Sequence, residues 1–164
     1  MNPGKILVAD QDGIYLLKLT GDVRVTLCAS ISDYIERIFS GQTPREIYVD
    51  LIEAEGVDST TLGLLAKLAL YCQEKLGFKA KLLCVNRSIL RILESMELDE
   101  LFDILVTPDS LKLETLELGQ VDPSEEKMRK QVLDAHKLLV KLNPKLWYEF
   151  EDLITALDDD GADA

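Results

Sequence analysis

The sequence has few of the residues on which most enzymes and metal sites depend. Among its 164 residues are one histidine and three cysteines, Cys28, Cys72 and Cys84. Three scattered cysteines are too few for a disulfide framework or a four-ligand zinc site. The histidine, His136, is not linked to a serine or cysteine nucleophile by a known motif, and a single helical histidine is typical of a surface or packing residue. We therefore expect no enzymatic activity, no catalytic residue, no bound metal and no cofactor.

Positive charge and long apolar runs are scarce as well. Lysine and arginine number 18 against 30 aspartates and glutamates, so the formal net charge is −12. A surface that binds the phosphate backbone has to be basic, which argues against direct nucleic-acid binding. The longest stretches without a charged residue, 25–32 and 59–66, are far shorter than the ~20 apolar residues of a membrane-spanning helix. No signal peptide is recognisable at the N-terminus. These features predict a cytoplasmic protein without a membrane span that acts through protein partners.

What the chain does contain is a regular alternation of apolar strands and helices. Runs rich in apolar residues at 6–10, 14–20, 46–51, 80–85 and 101–106 predict strands. Asp12-Gly13 indicates a hairpin between the first two, and Gly21-Asp22 is expected to end the second. Helical spacing recurs from residue 27 and from residue 62, and Ser88 is the expected N-cap of a third helix. The order β-β-α-β-α-β-α-β predicts an α/β fold with a mixed sheet.

The character of the chain changes near Gly119. Asp122-Pro123 is a helix start signal with Asp122 as the expected N-cap, and that helix is expected to run to about residue 142. Asn143-Pro144 begins a second helix with a broad apolar face. We therefore divide the chain into a domain of residues 1–118 and a helical hairpin extension of residues 119–164 with an acidic tail. The apolar faces of the hairpin either pack on the domain and on each other or form a partner or dimer surface.

One segment, residues 49–65, combines a strand end, an acidic loop and a helix start. The loop, expected at 52–58, carries Glu53 and Glu55, and either Asp58 or Ser59 caps the helix. Three hydroxyl residues stand at the first turn, where free amides and the helix dipole would tolerate an added phosphate. An enzyme or small-ligand site built on the acids is an alternative, although the sequence does not supply a base, a nucleophile and an electrophile together.

This segment resembles the signature of the STAS domain, the fold of bacterial anti-sigma factor antagonists. The signature is a strand ending in Asp-Leu, a short loop, and Asp-Ser-Ser-Gly-Leu-Gly at a helix start. The corresponding residues are Asp50-Leu51 and Asp58-Ser59-Thr60-Thr61-Leu62-Gly63, so Thr61 replaces the first glycine. The resemblance continues through Gly21-Asp22, the strand at 79–86 and the segment at 89–102, and it covers about residues 5–110.

The resemblance implies a STAS fold and a regulatory role without catalysis. In this family the unmodified domain binds an anti-sigma factor, often a serine kinase, and thereby frees a sigma factor. Phosphorylation of the serine after the motif aspartate releases the partner, and a serine phosphatase reverses the modification. That serine corresponds to Ser59, with Thr60 and Thr61 as secondary acceptors. The implied partner-binding residues are Asp58, Ser59, Thr60, Thr61, Leu62, Gly63 and Glu55.

A second role is compatible with the same fold. Some small STAS proteins are subunits that regulate a transport ATPase, and there the same helix start contacts the ATPase without a phosphorylation cycle. Such subunits tend to be short, so the extension after residue 119 argues mildly against this role. The partner that co-purifies with the protein distinguishes the two.

Overall fold

The computed structural model describes residues 2–162, which form seven strands and five α-helices. The strands are β1 (Lys5–Gln11), β2 (Ile14–Val23), β3 (Glu46–Asp50), β4 (Ala54–Val57), β5 (Lys81–Cys84), β6 (Asp103–Val106) and β7 (Leu116–Leu118). The helices are α1 (Cys28–Ser40), α2 (Ser59–Tyr71), α3 (Arg87–Ser95), α4 (Glu125–Leu142) and α5 (Trp147–Ala162). Of the predicted acidic tail, residues 163 and 164 lie outside the described residues.

The strands form one mixed sheet. Its order is β6-β5-β3-β2-β1-β7, and β4 pairs with β2 beside this path. Strands β2, β3, β5 and β6 are parallel, whereas β1 runs antiparallel to both of its neighbours. The β1–β2 hairpin turns at Asp12 and Gly13, whose φ angles of 51° and 83° are both positive, as a type I′ turn requires. The predicted α/β class, the mixed sheet and this hairpin are confirmed.

Two predictions about the strands are wrong, and one strand was missed. Strand β2 does not end at Gly21-Asp22 but continues to Val23, because a bulge at Gly21 (φ 71°) lets the strand bend and pair with β4. The segment 52–58, predicted as a loop, contains β4. A further short strand, β7, pairs with β1 and was not predicted. The observed order is therefore β-β-α-β-β-α-β-α-β-β-α-α.

Two helix caps also differ from the predicted ones. Asn86 rather than Ser88 caps α3, since its Oδ1 accepts the N–H groups of the first turn at 2.8 and 3.2 Å. Ser124 rather than Asp122 caps α4, and its Oγ accepts a first-turn N–H at 3.2 Å. Asn86 and Ser124 have the extended backbone that an N-cap needs and stand directly before the helix. The predicted end of α4 near residue 142 is confirmed.

The C-terminal hairpin, by which we mean α4, α5 and the turn between them, packs on the rest of the fold. Helix α4 lies along α2 and contacts α1 less extensively, and α5 packs on α4. Leu139, Leu146, Phe150 and Ile154 are buried in the same apolar cluster as the sheet. The division of the chain at residue 119 stays a prediction, since the core runs across it. Within residues 2–162, no helix has the length and apolar character needed to cross a membrane.

Candidate functional site

The start of α2 is fixed to the end of β2. The backbone N–H of Asp58 donates to the Val23 carbonyl at 3.1 Å. Asp58 has an extended backbone, and its Oδ1 accepts the Thr61 N–H at 2.9 Å. Of the two predicted caps, Asp58 is therefore the N-cap, and Ser59 is the first residue of the helix.

The three hydroxyl side chains of the first turn differ in exposure. Thr60 and Thr61 are 4% and 0% exposed. The Thr61 hydroxyl lies 3.5 Å from the Cys28 sulfur, and burial raises the pKa of that thiol to about 12. Ser59 is half-buried and is the most accessible of the three. The two predicted secondary acceptors are thus enclosed by the fold.

The Ser59 hydroxyl contacts the single histidine of the chain. Its Oγ lies 2.7 Å from His136 Nε2, and His136 Nδ1 lies 2.6 Å from the Val132 carbonyl oxygen. A carbonyl only accepts, so Nδ1 carries a proton, and in the neutral imidazole Nε2 accepts the hydrogen of Ser59. The Phe150 ring meets the imidazole edge-on, with centroids 4.7 Å apart. His136 is only 2% exposed. It is therefore a packing residue with a specific polar contact.

Sequence reasoning did not find this contact, because 77 positions separate the two residues. The sequence did indicate that His136 would be buried. Val132, His136 and Leu139 recur at helical spacing, which places the histidine on the face of α4 that becomes buried. No pattern in the sequence indicates which side chain it would meet there.

The hydroxyl–imidazole pair has the separation of a nucleophile and its general base. The surroundings differ from those of an open catalytic centre, since Phe150 covers the ring and a backbone carbonyl holds its second nitrogen. In this arrangement the pair forms a hydrogen bond that connects α4 to the first residue of α2.

A second close contact lies one turn further along α2. A Cβ atom placed on Gly63 would lie 2.5 Å from Ala135 Cβ and 2.7 Å from both the Cα and the carbonyl oxygen of Ala135. Non-bonded carbon atoms normally stay about 3.5–4.0 Å apart. Only glycine at this position lets α4 approach α2 so closely. Towards its N-terminus α4 leaves a groove of about 540 Å³ between itself, α1 and α2.

The acids of the 52–58 segment have separate partners. Glu55 accepts hydrogen bonds from the backbone N–H and the side-chain amide of Asn2, both at 2.9 Å. Glu53 forms an ion pair with Lys18. Asp50, at the end of β3, is fully buried and accepts the Ile52 N–H at 2.9 Å. In the part of the chain that the structure describes, no three histidines, cysteines or acids are arranged to hold a metal ion.

Comparison with known proteins identifies the fold family. The STAS domain model matches residues 5–112, and the chain belongs to this family. Among the solved structures that match is the crystal structure of an anti-sigma factor antagonist from Mycobacterium paratuberculosis. That similarity covers 64% of this chain and 87% of the other, with 20% identity and a TM-score of 0.55, so it shows a shared fold. No curated protein matches the chain significantly.

The family model ends at residue 112, before the C-terminal hairpin. The structural similarity covers 64% of the chain and so leaves about a third of it unmatched. The family model covers the strands β1 to β6, α2 and its cap, so Asp58, Ser59 and Gly63 lie within the STAS domain. His136 and Ala135, which contact Ser59 and Gly63, lie outside the residues that the family model matches. The site is therefore built from the STAS domain together with an additional helix.

Proposed function

We propose that this protein is an anti-sigma factor antagonist that works by partner switching in the bacterial cytoplasm. Its unphosphorylated form binds an anti-sigma factor with serine kinase activity and so frees a sigma factor. Phosphorylation of Ser59 releases that partner, and a serine phosphatase restores the hydroxyl. In this proposal the protein is a switch that catalyses no reaction and does not bind nucleic acid directly.

The observation that carries the proposal is the position of Ser59 in the STAS domain. Ser59 is the first residue of α2, directly after the Asp58 cap, and it is the most accessible hydroxyl of the turn. Its neighbours Thr60 and Thr61 are buried, which favours Ser59 as the acceptor. The free amides and the positive dipole end of α2 would stabilise a phosphate there.

The switch has a simple electrostatic basis. A phosphate adds about −1.5 to −2 charges at pH 7. The same end of the domain already carries Asp58 and Glu55, and the chain as a whole is acidic. A partner surface that accepts a neutral hydroxyl beside these acids would meet a bulky dianion instead. A loss of about 3 kcal/mol is sufficient to weaken the complex roughly a hundredfold.

The test combines modification and binding. We expect mass spectrometry of the protein from its native host to find phosphate on Ser59. With the captured partner, Ser59→Ala should bind at least as tightly as the unmodified protein and resist release by ATP, whereas Ser59→Asp should bind about a hundredfold more weakly. Ser88→Asp is the matched control, because Ser88 is an exposed serine in the first turn of α3. It should bind like the wild type.

Two results would contradict the proposal. Equal binding of Ser59→Asp and the wild type would show that the charge at this position does not control the complex. Co-purification with a transport ATPase, without phosphate on Ser59, would favour the ATPase-subunit role.

A further inference from the structure

The C-terminal hairpin occupies the surface that the proposed function assigns to a partner. Two of the implied partner-binding residues contact α4 directly. Ser59 gives its hydroxyl hydrogen to His136, and Gly63 lies against the backbone of Ala135. A partner side chain therefore has no space at Gly63 while α4 is in place, and the Ser59 hydroxyl already has an acceptor.

The hairpin is attached to the domain at defined points. Before α4, the Ser30 hydroxyl accepts the Val121 N–H and donates to the Gly119 carbonyl, both at 3.0 Å. At the turn between the helices, the Asn143 amide donates to the Ser95 carbonyl at 3.0 Å. Between these points the contact consists of the Ser59–His136 hydrogen bond and apolar side chains. Helix α4 is thus held to the domain at both of its ends and covers Ser59 between them.

Phosphorylated Ser59 does not fit under the hairpin in this position. The 2.7 Å between the Ser59 oxygen and the imidazole nitrogen leaves no volume for a phosphoryl group. The imidazole has little freedom to turn away, because the Val132 carbonyl and the Phe150 ring hold it. Transfer of a phosphate to the Ser59 oxygen in this position therefore requires that α4 move, and the phosphorylated side chain then keeps α4 away.

From these contacts, and resting on the proposed function, we infer that the C-terminal hairpin is an autoinhibitory cover for the Ser59 face of α2. The closed form is the one described above. Partner binding and phosphorylation both proceed through an open form in which α4 has left Ser59 and Gly63. The apparent affinity for the partner is then the affinity of the open form reduced in proportion to the fraction of open molecules.

The accessibility of position 59 tests the cover without any partner. We would label full-length Ser59→Cys with a thiol reagent and follow each thiol by peptide mass spectrometry. Cys84 is fully buried in β5 and serves as the internal reporter of global unfolding. We expect the labelling rate at position 59 to rise about tenfold or more when Leu139→Ala or His136→Ala is added, which corresponds to a closed form about ten times more populated than the open one. The labelling rate of Cys84 should not change.

The two added substitutions differ in severity. Leu139 is fully buried, so its truncation weakens the whole helix contact, whereas His136→Ala removes the contact with position 59, the packing on Phe150 and a hydrogen bond within α4. Tyr148→Ala is the matched control, since Tyr148 is 86% exposed on α5. It should leave the labelling rate at position 59 unchanged. If Leu139→Ala unfolds the domain, Cys84 becomes labelled as well, and His136→Ala decides the result.

A binding measurement then tests the autoinhibitory cover separately from the proposed function. With the captured anti-sigma factor, full-length His136→Ala with the native Ser59 should bind about tenfold more tightly than the wild type. Unchanged labelling at position 59 in both opened variants, or unchanged affinity despite faster labelling, overturns the inference. Failure of all forms to bind an anti-sigma factor would refute the proposed function instead, and faster labelling at position 59 would still show that the hairpin covers Ser59.

Discussion

The contact between Gly63 and Ala135 predicts the effect of a single added methyl group. Alanine normally stabilises a helix relative to glycine by about 1 kcal/mol, because it loses less backbone entropy on folding. In α2 the added Cβ would lie 2.5 Å from Ala135 Cβ and 2.7 Å from two backbone atoms of Ala135. Backbone atoms cannot rotate away, so α4 has to retreat. Gly63→Ala should therefore destabilise the protein although it improves helix propensity.

The magnitude follows from the distances. Restoring a normal carbon–carbon contact of about 3.5 Å requires a displacement of about 1 Å. The same displacement stretches the Ser59–His136 hydrogen bond from 2.7 Å beyond its useful range. Overpacking costs about 2 kcal/mol and the lost hydrogen bond about 1 kcal/mol, against a gain of about 1 kcal/mol in helix propensity. The net loss in the free energy of unfolding should be about 2 kcal/mol.

Urea unfolding measures this loss with two probes. The single tryptophan, Trp147, stands at the start of α5 and reports on the hairpin, while far-ultraviolet circular dichroism reports on the whole chain. In Gly63→Ala the tryptophan transition should move to lower urea than in the wild type. Gly119→Ala is the matched control, because a Cβ there meets nothing within 4 Å. A Gly63→Ala protein as stable as the wild type or more stable would refute the close-packing argument.

Two further predictions concern the buried thiol and the C-terminal hairpin. Burial raises the pKa of the Cys28 thiol from 9.0 to about 12. Below pH about 9 the thiol is therefore protonated in both the folded and the unfolded protein. Between pH about 9 and 12 the unfolded chain releases this proton and the folded protein keeps it. Urea unfolding should show stability falling over that window by up to about 1.4 kcal/mol per pH unit from this group, and Cys28→Ala should show a shallower fall. Deletion of residues 120–164 should leave a chain that aggregates in size-exclusion chromatography, because it uncovers the apolar surface under Leu139 and Phe150.

Each of these predictions has a direct control. Below pH about 8 the wild type and Cys28→Ala should show the same pH slope, and an equal fall of both between pH about 9 and 12 would contradict the assignment to Cys28. For the deletion, the full chain at the same concentration is the reference. A monomeric remainder that unfolds cooperatively would show that residues 1–119 fold independently, as the predicted domain division implies.

Local chemistry was sufficient to predict most of the sheet domain. Asp12-Gly13 adopts the two positive φ angles that a type I′ turn requires, and Asp58 caps the helix that its position indicates. These features depend on a few neighbouring residues, so the sequence displays them. Strand β4 was missed because Ala54-Glu55-Gly56-Val57 has weak strand propensity, and its pairing depends on β2 bending at Gly21, more than 30 residues earlier.

In the candidate site, too, the local features were predictable from the sequence and the tertiary contacts were not. The position of Ser59 behind its cap follows from a short motif, whereas its contact with His136 depends on how α4 returns across the domain. The motif glycine, Gly63, is conspicuous in the sequence, but its contact with Ala135 is a tertiary one. Helix packing of this kind is set by the total shape of two surfaces, and no local pattern encodes which residues meet.

Ser59 and Gly63 share one property that links stability to modification. Each contacts α4 at a distance that leaves no room for an additional atom. The Ser59 hydroxyl meets the His136 imidazole, and the Gly63 α-carbon meets the backbone of Ala135. A methyl group on Gly63 and a phosphate on Ser59 therefore act on the same helix contact, one by volume alone and the other by volume and charge. Under the proposed function, a substitution that loosens α4 therefore changes the access of a kinase to Ser59. Under the same proposal, phosphate on Ser59 lowers the stability of the C-terminal hairpin, because the closed position leaves no volume for a phosphoryl group.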